Sequence, residues 1–261
     1  MDLARTLHQI PDGYGEIFET RWPLRVADVD ADGHLRLDAA ARHIQDAAQD
    51  HARAWGADQL HPLWIIRRTI IDVMSPITFQ SDLRLRRWCS GTSTRWCQMR
   101  VRIDGNDGGR IESEGFWINM NRDTMMPSII GEEFLSRLNS TTDTHRLRWK
   151  PILEPLGERD TADATFDFPV RATDIDIFNH VNNSVYWAVV EEYLRGQPRR
   201  ESPFRVVVEH IAPVAPGDKV EVLVHTGPSG HSVGAATTLT YMVGTTPKAV
   251  AVITDIPAAA D

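Results

Sequence analysis

The residues Pro23-Leu24-Arg25-Val26-Ala27-Asp28-Val29-Asp30-Ala31-Asp32-Gly33-His34-Leu35 return, without a gap, as Pro169-Val170-Arg171-Ala172-Thr173-Asp174-Ile175-Asp176-Ile177-Phe178-Asn179-His180-Val181. The proline, the arginine, two aspartates and the histidine stand at a constant offset of 146 positions. The apolar pairs Leu24/Val170, Val29/Ile175 and Leu35/Val181 keep the same register. A period this long denotes two copies of one domain rather than a solenoid. In each copy a strand-like run ends in two acids, a short polar loop carries a histidine, and a helix follows. A carboxylate, an imidazole and the free N–H groups of a helix start can together activate water and stabilise negative charge on a carbonyl oxygen.

The elements between the repeats follow one order. Ile17 to Val26 reads as a strand. Leu37 to Trp55 is a helix, with Leu37, Ala40, Ala41, Ile44, Ala47, Ala48, Ala52 and Trp55 at helical spacing, Asp38 as N-cap and Gly56 at its end. Its alanines predict close packing on a broad surface such as a sheet. Strand-like runs follow at Leu63 to Val73, Leu83 to Cys89, Trp96 to Ile103 and Arg110 to Met120, separated by turn signals at Ser90 to Ser93 and Asp104 to Gly109. Gly131 to Leu138 reads as a short helix, and Ser140 to Thr165 as a polar linker with the module boundary near Asp160. The second copy repeats the order: a strand from Ala164 to Ala172, then a helix from Ser184 to Arg195 with Asn183 as N-cap and Gly196 as C-cap. Strands follow at Phe204 to Ile211, Lys219 to Thr226, Ala235 to Met242 and Ala249 to Thr254. A long helix followed by an antiparallel meander predicts an α+β fold whose sheet wraps the helix.

Composition excludes several classes. The net charge of −8 argues against a nucleic-acid binder. No apolar run approaches the ~20 residues of a membrane span, and the first residues lack a signal-peptide pattern, so the expected location is cytoplasmic. The two cysteines, Cys89 and Cys97, fit buried thiols better than a disulfide, and their spacing fits no zinc pattern. The histidines include no HExxH, so neither a metal nor another cofactor is expected.

A helix-then-meander module opened by Asp-x-Asp-x-x-[Gly/Asn]-His-[Val/Leu] resembles the hotdog-fold thioesterases. The second copy, from Asp174 through His180-Val181-Asn182-Asn183 to Tyr186 with Glu192 beyond, is similar to their helix-start motif. Two fused hotdogs resemble the acyl-ACP thioesterases in particular, and Gln45 to Ala52, Leu63 to Arg67 and Gly115 to Asn121 support this. The resemblance runs from about Phe18 to about Val252. It implies two tandem hotdog modules forming a pseudo-dimer: an N-terminal domain, 1–150, with the acyl-chain pocket, and a C-terminal domain, 151–261, with the catalytic loop. It also implies a hydrolase that releases fatty acid from acyl-ACP or acyl-CoA in lipid metabolism and fatty acid biosynthesis, with a homodimer as a further level of assembly.

Carried over by position, Asp176 and His180 match the acid and histidine of the family's active loop. The family's asparagine position holds Phe178, with Asn179 beside it, and its later Glu-Cys pair aligns with Pro213 and Val214. The expected catalytic residues are Asp176, as general base or nucleophile, His180 and Asn179. Asn182, Asn183 and Glu192 would bind substrate, and the helix N-terminus would face the oxyanion. Asp174 reads as a turn acid and His51 as a core histidine. Asp30 and His34 are a second candidate pair. Trp64, Trp88, Trp96, Phe116, Trp117, Met120, Met125 and Met126 would fill the first core or line an acyl tunnel. An acidic carrier protein would dock on Arg84/Arg86/Arg87 or on Arg195/Arg199/Arg200/Arg205. Two other readings compete. One is a non-catalytic acyl-thioester-binding protein, favoured by Phe178, Pro213 and Val214. The other is a hotdog hydratase or dehydratase, whose Asp-to-His spacing is five rather than the four seen from Asp176 to His180.

Overall fold

The computed structural model describes residues 3, 5–7, 9–11, 15–156, 159–198, 200–228 and 235–256; Arg199 and the Ala-rich end, 257–261, lie outside these. The chain forms two compact units, Thr6–Trp149 and Lys150–Asp261, the latter joined by Met1–Arg5. In this second unit the buried Arg205 donates through Nη1 to the carbonyls of Leu3 and of Arg5, at 2.8 Å for the latter.

The first unit contains β1 (Phe18–Pro23), α1 (Leu37–Ala54), α2 (Ala57–Leu60), β2 (Trp64–Ser75), β3 (Asp82–Thr92), β4 (Trp96–Gly105), β5 (Arg110–Asn119) and α3 (Glu132–Asn139). The second contains β6 (Ala164–Phe168), α4 (Asn183–Arg195), β7 (Phe204–His210), β8 (Val220–Pro228), β9 (Ala235–Val243) and β10 (Thr246–Asp255). The strand order is β1-β3-β4-β5-β2 in one and β6-β8-β9-β10-β7 in the other, all antiparallel. These are the same topology, so the sequence repeat is a repeat of architecture.

The helices read from periodicity are present. α1 buries Leu37, Ala40, Ala41, Ile44, Ala47 and His51, and its small residues allow close approach. α4 buries Tyr186, Val189 and Val190 as its stripe predicts, and also Trp187, which the stripe omits. The Tyr241 hydroxyl donates to the Tyr186 carbonyl at 2.7 Å and ties β9 to α4.

Three local expectations need correction. The run Ser90 to Ser93 is not a turn. β3 continues to Thr92 through a bulge between Cys89 and Gly91, and the backbone reverses where Ser93 N–H bonds the Trp96 carbonyl. Thr92 is held on its other edge by Thr144 and Leu147, so the linker extends the pairing. The two lead-in strands are shorter than predicted, because Pro23 and Pro169, which lack a donor, stand at their ends. The helix caps also differ: Arg36, not Asp38, precedes α1, and α4 is capped by Asn182, as described below.

The repeat also locates an insertion. Leu35 N–H bonds the Ile77 carbonyl and Val181 N–H bonds the Val214 carbonyl, both at 2.9 Å. The first copy therefore spends nine more residues between these partners, and α2 lies within them. Three residues beyond, the turn is built on Gln80 (φ 75°) and on Gly217 (φ 86°). Among the described residues no helix is long and apolar enough to cross a membrane. Both cysteines are buried and free, and burial pushes the Cys89 thiol up to about 12.

Candidate active site

The repeated arginine and first aspartate close a short 3-10 turn. Asp174 is buried and accepts the Arg171 N–H at 2.8 Å, and Asp28 accepts the Arg25 N–H at 3.2 Å. Arg171 adds an ion pair at 3.3 Å. In the first copy α1 supplies Arg42, at 2.7 Å from Asp28, and His43, at 3.5 Å. These six residues shape the two turns, as the sequence reading of Asp174 expects.

The second aspartate organises the loop. Asp176 N–H bonds the His180 carbonyl at 2.9 Å, and Asn179 N–H bonds the Asp176 carbonyl at 2.9 Å. The Asp176 Oδ1 accepts the Phe178 N–H at 2.9 Å, an Asx turn. The first copy forms the same backbone bonds among Asp30, Gly33 and His34. There, however, Asp30 Oδ1 accepts two N–H groups, from Asp32 at 2.9 Å and His34 at 2.8 Å. Asp176 and His180 are half-buried, and no hydrogen bond or ion pair engages the His180 ring among the described residues. Asp30, Asp32 and His34 also bring three ligand-type atoms within 4.8 Å of one another, a grouping the sequence reading did not single out.

The loop delivers the chain directly into α4. Asn182 is the N-cap: its Oδ1 accepts from the Ser184 N–H at 2.9 Å and the Ser184 hydroxyl at 2.8 Å. Its carbonyl takes the Val185 N–H. The donors sequence reading placed at Ser184 are therefore occupied, and Asn183, expected as the cap, is instead the first helical residue. Its N–H has no intrahelical acceptor. Replacing Asn182 with Ala should cost about 1 kcal/mol of stability by denaturant titration, whereas Asn183→Ala should cost less than about half of that.

Against the loop lies a narrow apolar crevice of about 10 Å³, walled by Phe168, Val170, Val181, Tyr186, Val189 and Val214. The Tyr186 ring meets His210 edge-on at 4.8 Å. Burial pushes the Tyr186 phenol up to about 12, against the Val214 N–H, which favours the ionised form; Asp176 and Asp218 add to the rise. The sequence reading counted Tyr186 only as part of the helix stripe, because the strand and loop that meet it are distant in the chain.

The acyl-ACP thioesterase N-terminal domain model matches residues 15–138, and the C-terminal domain model matches 157–254. The chain belongs to the acyl-ACP thioesterase family. It is a thioester hydrolase built from two tandem hotdog modules. An uncharacterized protein of Mycobacterium tuberculosis is 44% identical over 208 residues, covering 80% of this chain and 82% of that protein. A Lactobacillus plantarum protein assigned as an oleoyl thioesterase is 18% identical and covers 94% of this chain and 98% of its own, with a TM-score of 0.75. The 12:0-ACP thioesterase of Umbellularia californica is also 18% identical, covering 91% and 93%, with a TM-score of 0.72. At these identities the solved structures establish the fold alone.

Within this acyl-ACP thioesterase family member, the departures from the expected motif have local explanations. Phe178 is exposed, and its N–H is bound by Asp176. Asn179 has φ 60°, matching Gly33 at φ 80°, and asparagine tolerates that left-handed geometry better than most residues. Val214, at the position aligned with the Cys of the pair, is buried and gives its carbonyl to the loop. Glu192 is exposed on α4 and forms no hydrogen bond or ion pair among the described residues.

Other flagged side chains are already engaged. Arg84 pairs with Glu19 at 2.5 Å and Arg86 with Asp104 at 2.6 Å. Arg87 faces His51 at 2.7 Å. Arg200 pairs with Asp255, and Arg205 is buried. Neither arginine cluster is an open basic face; Arg195 remains exposed, and Arg199 lies outside the described residues. Trp88, Phe116 and Met120 are buried, and Trp64 and Trp117 pack on the Cys89/Cys97/Met99 cluster. Met125 and Met126, expected inside, are 55% and 63% exposed.

Proposed function

We propose that this thioester hydrolase acts on fatty acyl chains carried by acyl carrier protein, with acyl-CoA as the alternative carrier, and that its chemistry lies in the second loop. The observation that carries this is the difference between the two repeated acids. Asp30 Oδ1 accepts two backbone N–H groups and lies 3.8 Å from the His34 ring, whereas Asp176 Oδ1 accepts one N–H and has more of its acceptor capacity left for a water. A narrow apolar crevice also lies against the second loop.

In this reading Asp176 takes a proton from water while the water oxygen adds to the thioester carbon. The Asn183 N–H at the start of α4 faces the oxyanion. Collapse expels the thiol sulfur, and His180 supplies its proton. Asn179, at the exposed loop tip, and the Asn183 side chain contact the pantetheine arm; the Asn182 oxygen is held by Ser184, so its part is to orient the helix start. Glu192, nine residues past Asn183, is the least supported of the expected binding residues.

Thiol release from acyl-ACP and acyl-CoA esters of varied chain length tests the reading. Turnover on one carrier only names the substrate, and no turnover on any ester would defeat it. Because most of the candidate docking arginines are paired or buried, with Arg195 exposed, added salt should slow the two carriers' esters to a similar extent. A much steeper fall on acyl-ACP would show a basic docking face elsewhere on the chain.

A further inference from the structure

Arg87 of β3 lies against α1, its Nη1 2.7 Å from the Nδ1 of His51. It stands opposite Phe18 of β1, whose ring stacks on the imidazole at 4.8 Å, while Trp55 meets the same imidazole edge-on at 3.9 Å. Arginine can only donate, so Nδ1 accepts and the ring proton resides on Nε2. His51 is buried, and burial, with Arg87 beside it, lowers its pKa to about 2, so the ring is neutral at ordinary pH. The buried Nε2 has no hydrogen-bond partner. Among the described residues no carboxylate pairs with Arg87, and the buried thiols of Cys89 and Cys97 near it are held in their neutral form.

A guanidinium withdrawn from water without a counter-charge is costly, and so is a buried N–H without an acceptor. Arg87, whose Nη1 meets only a neutral imidazole, lacks a counter-charge, and the His51 Nε2–H lacks an acceptor. A carboxylate matches the planar fork of an arginine. Arg87, Phe18 and Trp55 are all half-buried, so the group is within reach of solvent and has an apolar wall.

We propose that Arg87 and His51 form a carboxylate-binding site in the first unit, taking an amphipathic carboxylic acid with its head on the guanidinium and its chain along Phe18 and Trp55. This site lies outside the Asp176–His180 loop and does not rest on the reading of that loop.

Calorimetric titration with decanoate and with decan-1-ol isolates the head group. The intact protein should bind decanoate roughly tenfold more tightly than the alcohol. Arg87→Met, which keeps an unbranched apolar stem, should bind the two alike. In the unsubstituted protein the His51 ring resonances should shift on adding decanoate and stay in place on adding decan-1-ol, a readout that does not depend on the variant folding. The proposal is overturned if the protein shows no preference for the carboxylate, if Arg87→Met keeps the preference, or if decanoate leaves the His51 resonances unmoved. Thioester turnover on the same preparations reports separately on the second-loop chemistry.

Discussion

Asp176→Asn should keep the fold and lose turnover by about 10²- to 10⁴-fold, the usual contribution of a general base. The substitution separates the two roles of this side chain. An asparagine Oδ1 can still accept the Phe178 N–H that the Asp176 carboxylate accepts at 2.9 Å, so the Asx turn survives while the base is removed. Asp176→Ala would remove both and could not tell them apart. Asp30→Asn is the matched control, because Asp30 builds the same loop in the first copy. It should leave turnover within about twofold. Thermal melts of both variants should stay close to the parent. If Asp176→Asn turns over normally and Asp30→Asn does not, the chemistry belongs to the first loop.

Below pH 6.5 the folded protein should lose stability at up to about 1.4 kcal/mol per pH unit on account of His51 alone. The unfolded ring titrates near 6.5, and burial followed by the Arg87 charge holds the folded ring near 2. The unfolded state therefore binds the extra proton over this interval. The stability is fully present above pH 6.5 and declines as pH falls toward 2. From pH 6.5 to 4.5 the loss is roughly 2 kcal/mol, a substantial part of the stability of a typical domain. Carboxylates held low by arginine or hydroxyl partners, such as Glu19, Asp104 and Asp107, add their loss at more acidic pH. Burial lowers His43 and His61 in the same direction as His51, so the comparison must be made with a His51 variant. Urea titrations of the parent and of His51→Leu at pH 7, 6, 5 and 4.5 supply it. The variant should show the flatter profile, and parallel profiles would mean that His51 is protonated in the folded protein.

The parts of the fold that sequence made legible are those written in local spacing. α1 and α4 follow from apolar positions three and four apart, and the meanders from period-two runs broken by Gly and Asp. The ends were less legible, because capping depends on which side chain reaches a free N–H. Asn182 and Asn183 are chemically equivalent neighbours, and only the backbone geometry puts the Asn182 oxygen on Ser184. The strand ends at Ser90 to Ser93 were misread because pairing with Thr144 and Leu147, some fifty residues on, holds Thr92 extended.

By itself the sequence determined that the chain is a duplication, that each copy is a helix followed by an antiparallel meander, and that an acid and a histidine precede each helix. Those properties live in a constant offset and in short periods. Tertiary structure alone decided how the repeated acids differ, one spending an oxygen on two N–H groups and the other on one. It also decided that the arginine clusters are mostly paired or buried, and that Arg87 meets His51 across 36 positions. The reason is physical. Periodicity reports which face of an element is apolar, whereas the free capacity of a polar group depends on donors and acceptors that folding brings from elsewhere in the chain.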